Sequence, residues 1–234
     1  MLNQFTPEQV LAIKYAWALC MLSSKEPHEN SDPLVANAKF DWMESKLDTY
    51  GYIAEFSDFL IFVPRETRGL FTDGHFTPLA WAEDLYTVDC KETDYGTFHK
   101  GFHDIWDTFQ TFVFDHVASM PKDKPFICRG YSQGGAIARH ASLHVGKKFN
   151  RDCNIITFGE PKIGKQDVVD TYSTLRGTSL RIINGYDVVP NVPLYDMGFR
   201  DIREYAKFPQ PEWHKFPPFD FADHAHYNAE INKL

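Results

Sequence analysis

The chain has 234 residues, 43% of them hydrophobic and 24% charged, enough for one sizeable domain with a buried core and short for two. A formal charge of -8 argues against nucleic acid or an anionic membrane surface as the main partner. No run approaches the roughly 18 apolar residues of a spanning helix.

The N-terminus has no early Lys or Arg, and Lys14 interrupts its apolar stretch, so it does not read as a signal peptide. A soluble, cytoplasmic protein is the default expectation, with export by another route left open. Thr6-Pro7-Glu8-Gln9 reads instead as a helix start, with Thr6 as N-cap, Pro7 at the first position and Gln9 closing a capping box. Val10, Leu11, Ile13, Trp17, Leu19 and Leu22 make this first helix mostly buried, and it ends near Ser23. A second helical segment is expected from Asp32-Pro33 to about Tyr50, so residues 1–50 form the N-terminal helical part of a single domain, 1–234. Asp58 to Val63 is a buried-strand candidate. Residues 64–78 form a loop, and Trp81 to Leu85 a short helix.

Phe98 to about Ser119 reads as a long helix, with Phe102, Ile105, Trp106, Phe109, Val113 and Val117 largely on one face. Strands are expected at Pro125–Arg129, Cys153–Phe158 and Leu180–Asn184, with an edge strand at Tyr205–Phe208. Between the first two of these runs a helix to about Lys148. Buried strands alternating with helices predict an α/β domain with helices on both faces of a mostly parallel sheet. Four cysteines (Cys20, Cys90, Cys128, Cys153) show no paired spacing; Cys128 lies in a strand pattern, where a free buried thiol is expected.

Gly130-Tyr131-Ser132-Gln133-Gly134 sits where a strand turns sharply into a helix. Glycines on both sides suit a nucleophile on a strained turn, although the same pattern also suits a serine that only caps a helix. A serine nucleophile needs a base and a group to orient that base. In serine hydrolases built on such a sheet the chain order is Ser, then Asp or Glu, then His. Asp187 follows the Leu180–Asn184 strand, on the rim where ligands bind, and Asp223-His224-Ala225-His226-Tyr227 supplies the imidazole. His224 and His226 would share a face if this stretch were a strand.

Several ordered segments resemble the fungal-type triacylglycerol lipases, called class 3 lipases. Gly130-Tyr131-Ser132-Gln133-Gly134-Gly135 is similar to Gly-His-Ser-Leu-Gly-Gly, Asp187-Val188-Val189-Pro190-Asn191-Val192-Pro193 to Asp-x-Val-Pro-x-x-Pro, and Asp223–Tyr227 to Asp-His-x-x-Tyr. His99-Lys100-Gly101-Phe102 resembles His-x-Gly-Phe, and Phe158-Gly159-Glu160-Pro161-Lys162-Ile163-Gly164 resembles Phe-Gly-x-Pro-Arg-Val-Gly. The resemblance spans about residue 55 to the end. It implies an α/β-hydrolase fold and a serine esterase with Ser132 as nucleophile, His224 as base and Asp187 as acid. It also implies an oxyanion hole from Thr67 and the backbone N–H of Gln133, and no cofactor or metal. The implied substrate is an acylglycerol or other carboxylic ester, met in transient contact with a lipid interface. Phospholipid or galactolipid acyl hydrolysis, acyl transfer, and a silent lipid- or protein-binding module are the alternative readings.

The chain departs from that pattern at Val63-Pro64-Arg65-Glu66-Thr67, where the family has Phe-Arg-Gly-Thr or Phe-Arg-Gly-Ser before its first oxyanion donor. Residues 68–78 stand where family members carry a lid; Leu70, Phe71 and Phe76 between Gly69 and Gly74 suit an apolar flap or an ordinary surface loop. His226 reads as a supporting or surface residue. The pairs His140/His144 and His99/His103, each one helical turn apart, read as solvated or hydrogen-bonded helix residues.

Overall fold

The computed structural model describes residues 5–23, 33–47, 49–65, 71–72, 75–76, 89–185, 187–202, 205–208 and 226–234. The first helix, α1 (Pro7–Ser23), opens with the expected reciprocal cap. The Thr6 amide donates to Gln9 Oε1 at 2.9 Å, and the Gln9 amide donates to Thr6 Oγ1 at 3.3 Å, which satisfies amides that the first helical turn leaves without partners.

The next stretch corrects the sequence expectation. Instead of a second helix to Tyr50, the chain forms an antiparallel hairpin of β1 (Lys39–Glu44) and β2 (Tyr50–Glu55). The physical reason is the alternation Phe40, Asp41, Trp42. It puts both aromatic rings against Tyr52 of the partner strand, Phe40 stacked at 4.7 Å and Trp42 tilted at 5.2 Å, an arrangement that cross-strand pairing rewards.

The chain continues through β3 (Leu60–Pro64), the short strands β4 (Phe71–Thr72) and β5 (His75–Phe76), then β6 (Cys90–Thr93) and β7 (Gly96–His99). After these come α2 (Lys100–Ser119), β8 (Phe126–Tyr131), α3 (Gln133–Phe149), β9 (Cys153–Phe158), α4 (Gln166–Ser173), β10 (Ser179–Ile183), β11 (Tyr205–Lys207) and α5 (Tyr227–Ile231). The main sheet has the order β1-β2-β3-β8-β9-β10-β11. Its first three strands are antiparallel and the pairs from β3 to β11 are parallel, as the fold class predicts. The expected short helix at Trp81–Leu85 lies outside the described residues.

Alternation along the strands divides the interior in two. Leu60, Phe62, Phe126, Cys128 and Ile155 face a core built with α2 and α3. Ile61, Val63, Tyr131, Ile156 and Phe158 face a second core built with α1 and α5. Cys128 is fully buried in the first core, and burial raises its thiol pKa well above the ordinary value, so it is an inert core residue.

Two buried arginines tie the helices to the sheet. Arg139 of α3 holds Glu160, just after β9, through Nε at 2.9 Å and Nη2 at 2.7 Å. Removing one partner of such a buried pair costs about 3–5 kcal/mol. Arg151 donates to the carbonyls of Pro121 at 2.8 Å and Lys124 at 2.6 Å, securing the loop between α2 and β8. Asn150, in the left-handed conformation at φ 49°, ends α3.

Candidate active site

Ser132 joins β8 to α3 with φ 54° and ψ -128°, a conformation that a residue with a Cβ rarely adopts and that costs about 1–3 kcal/mol. It persists because both sides are anchored. The Ser132 amide donates to the Phe158 carbonyl at 2.9 Å, and the Ser132 carbonyl accepts from Gly135 at 2.9 Å. The glycines are there for space. A Cβ on Gly130 would lie 2.3 Å from the Gly134 carbonyl oxygen, and one on Gly134 would lie 2.5 Å from that of Pro64. The turn is therefore a strained elbow rather than an ordinary cap; Ser132 makes no side-chain cap hydrogen bond.

That close approach also settles where the end of β3 runs. Pro64 and Arg65 cross the first turn of α3, beside Gln133 and Gly134. Glu66 and Thr67 lie outside the described residues, as does most of 68–78. Within the latter, Phe71–Thr72 and His75–Phe76 pair antiparallel.

Asp187 stands beyond β10, 1% exposed. Its Oδ1 accepts from the Val189 amide at 2.9 Å and its Oδ2 from the Tyr227 hydroxyl at 2.8 Å. The Val189 bond opens a 3-10 turn, Val189–Asn191, and the Asn191 side-chain amide donates to the Asp187 carbonyl at 3.2 Å. An ionised carboxylate only accepts, and the two bonds fix its plane. Burial is the leading cause that raises the Tyr227 phenol pKa well above its ordinary value, with the Asp187 charge next, so Tyr227 remains a donor.

Tyr227 also lies edge-on to Tyr131, the residue before Ser132, with ring centroids 5.6 Å apart. Trp17 of α1 packs among them. It is edge-on to Tyr131 at 5.2 Å and to Phe158 at 5.1 Å, and stacked on Tyr227 at 5.9 Å. Its indole N–H donates to Asn228 at 3.1 Å. The aromatic cluster thus joins the serine turn to the tyrosine that binds Asp187. Sequence reasoning missed both roles. The fixed Asp-His-x-x-Tyr spacing is the signal that could have marked Tyr227, whereas nothing local distinguishes Trp17 from any apolar helix residue.

His224 lies outside the described residues. His226 is exposed and precedes α5, so the strand geometry that would align it with residue 224 is absent at 226. The other histidines correct an expectation. His99 and His103 are each 5% exposed, His140 0% and His144 5%; His99 packs on Phe102 and Phe199, while His103, His140 and His144 pack around Phe98, with Trp106 against His144. Both ring nitrogens of His140 lack a hydrogen-bond partner among the described residues. His103, Asp104 and Asp107 come close enough to share an ion, but Lys100 already engages Asp104, and Asp107 lies 3.2 Å from His103.

A family model described as lipase (class 3) matches residues 70–197. A secreted mono- and diacylglycerol lipase of Fusarium solani is 27% identical over 105 residues, 44% of this chain and 31% of its own. A lipase of Caenorhabditis elegans is 28% identical over 151 residues, 61% of this chain and 41% of its own. The matches thus span less than half the length of these curated relatives. Among solved structures, the triacylglyceride lipase of Rhizomucor miehei superposes with a TM-score of 0.72 at 19% identity, covering 87% of this chain and 81% of its own. The lipase of Rhizopus microsporus var. chinensis gives 0.73 at 19% identity over 98% and 91%. The fold is that of these α/β-hydrolases. Among the described residues no helix is long and apolar enough to cross a membrane. The expected cytoplasmic location finds no support in relatives named as secreted.

Proposed function

The chain belongs to the class 3 lipases, and from that premise we propose that it is a serine carboxylic-ester hydrolase that releases fatty acids from acylglycerols. The observation that carries this reading is Ser132 held in a strained strand-to-helix turn. The buried Asp187, bound by the tyrosine three residues beyond His224, supports it. In this reading His224 takes the Ser132 proton as Oγ attacks the ester carbonyl carbon. Asp187 accepts the other imidazole N–H, fixing the tautomer and stabilising the imidazolium. His224 then returns the proton to the departing alcohol, and water, activated by the same imidazole, releases the fatty acid.

The developing oxyanion meets the Gln133 N–H at the start of α3, where the helix dipole favours negative charge. Thr67, reached from Arg65, supplies the second donor, and each donor is worth about 2.7–4 kcal/mol. The exposure of His226 supports His224 as the base, since Ser132 and Asp187 are both buried. The names of the relatives support mono- and diacylglycerols as substrates, met at a lipid–water interface that residues 68–78 would touch.

Labelling with a fluorophosphonate, followed by peptide mapping, tests the assignment. A covalent adduct on Ser132, lost in Ser132→Ala together with fatty-acid release, is the expected result. A folded protein without the adduct overturns it. Product analysis over mono-, di- and triacylglycerols, phospholipids and galactolipids then decides the head group.

A further inference from the structure

The turn that carries Asp187 is held from below by a buried ammonium group. Lys162, 2% exposed, donates from Nζ to the Asn191 carbonyl at 2.6 Å and the Pro190 carbonyl at 3.3 Å. Its backbone amide donates to the Val192 carbonyl at 2.9 Å. Three successive residues of the acid turn are therefore fixed by one lysine, and the middle one, Asn191, is bonded back to Asp187. Arg181 supports the same place, donating to the Pro190 carbonyl at 2.8 Å. The Asn191 carbonyl receives its bond from Lys162. We propose that Lys162 is a positioning residue for Asp187, its charged ammonium fixing the turn on which the acid is carried and its neutral form holding that turn less firmly. This rests on the hydrolase reading above.

The chemistry is that of charge-assisted hydrogen bonds, roughly twice as strong as neutral ones. The groups facing Lys162 are Arg181 of β10, the Tyr195 ring 4.4 Å from Nζ, and Arg200 and Asp201 in the following segment. Burial brings the Lys162 pKa down to about 8; Asp201 opposes this, while Arg181 and Arg200 assist it. Asp201 stays ionised and Tyr195 neutral in this range, since the carboxyl is lowered and the phenol raised to about 12. A lysine whose pKa is lower folded than unfolded sheds its proton more easily in the fold, so raising the pH through 8 does not cost global stability. The alkaline effect is then on the acid's position and not on folding.

The test is kcat and KM from pH 6.5 to 9.5, with the melting temperature measured at each pH. For wild type, kcat is expected to fall severalfold above about pH 8 while the melting temperature does not. Lys162→Arg, whose guanidinium stays charged, is expected to keep kcat across that range. Lys162→Met is expected to lower kcat at every pH, by up to about a hundredfold, with KM little changed and no limb near 8. A limb that survives in either variant, or a kcat unchanged in Lys162→Met, overturns the proposal. If wild type takes no fluorophosphonate at any pH, the hydrolase reading fails by itself. The clamp is then judged by amide-exchange protection at Val189, Asn191 and Val192, which should drop between pH 7 and 9 in wild type and hold in Lys162→Arg; equal protection in both overturns it.

Discussion

The hydroxyl of Tyr227 donates to Oδ2 of Asp187 at 2.8 Å while accepting from the Asn184 amide at 2.9 Å. One phenol thereby fixes both the carboxylate and the end of the strand from which its turn departs. Tyr227→Phe leaves a buried amide without that acceptor, at a cost of about 1–3 kcal/mol. It also frees Oδ2 to turn away from an imidazole. We expect kcat to fall about tenfold, the scale seen when a group that orients a functional ligand is removed. Urea unfolding and steady-state kinetics measure the two effects separately. A stable variant with wild-type kcat would mean that the phenol does not orient Asp187.

Trp17 lies outside the residues the family model matches, yet it touches Tyr131, Phe158 and Tyr227. Trp17→Ala should cost about 3–5 kcal/mol, because an indole that is 7% exposed leaves a cavity between α1 and the sheet. Trp17→Phe retains most of the packing and loses the indole bond to Asn228, for about 0.5–1.5 kcal/mol. Guanidinium unfolding should rank them in that order. Equal costs would mean that the hydrogen bond, and not the ring packing, secures α1.

Residues whose roles are local were legible in the sequence, and those whose partners are distant were not. Thr6 and Gln9 announce their cap because both partners lie within one turn. The apolar runs at 60–63, 126–128 and 153–158 announce a buried parallel sheet because both faces are covered. Phe40-Asp41-Trp42-Met43 does not announce its strand, since so short a run satisfies helical and strand periods alike, and Tyr52, which decides the matter, comes ten residues after Trp42 in the chain. Lys162 and Tyr227 were visible as motif positions. That both reach the turn of residues 187–192 is a property of the fold alone.

Gly134 and Gly146 both lie in α3, and they should respond in opposite ways to alanine. A Cβ at Gly134 meets the Pro64 carbonyl oxygen at 2.5 Å and the Arg65 backbone at 3.0 Å, neither of which can swing aside. At Gly146 the nearest atom, at 3.0 Å, is the end of the Leu175 side chain, and alanine gains up to about 1 kcal/mol of helix propensity. Gly134→Ala should therefore push the end of β3 away from the first turn of α3, beside the proposed oxyanion site, and cost about a hundredfold or more in kcat. Gly146→Ala should leave kcat unchanged and the melting temperature equal or higher. An active Gly134→Ala would show that catalysis does not depend on this close approach of Pro64 and Arg65.

The buried histidines make the fold sensitive to acid. Burial is the leading cause that puts the His140 pKa well below its ordinary value and that of His144 at about 3; the neighbouring imidazoles add to both. In the unfolded chain both titrate near 6.5. Between the unfolded and folded values the unfolded state binds more protons, so a falling pH favours it. Stability that is fully present above about pH 6.5 should be lost toward pH 4, by up to about 1.4 kcal/mol per pH unit for each histidine. The depressed carboxyls of Asp167 and Asp201 add their own loss only below about pH 4. His140→Phe keeps an aromatic ring beside Phe98, whose centroid is 4.6 Å from the imidazole, and has nothing to protonate. Urea midpoints between pH 7 and 4 should therefore fall less steeply for His140→Phe than for wild type. Parallel slopes would place the acid sensitivity elsewhere.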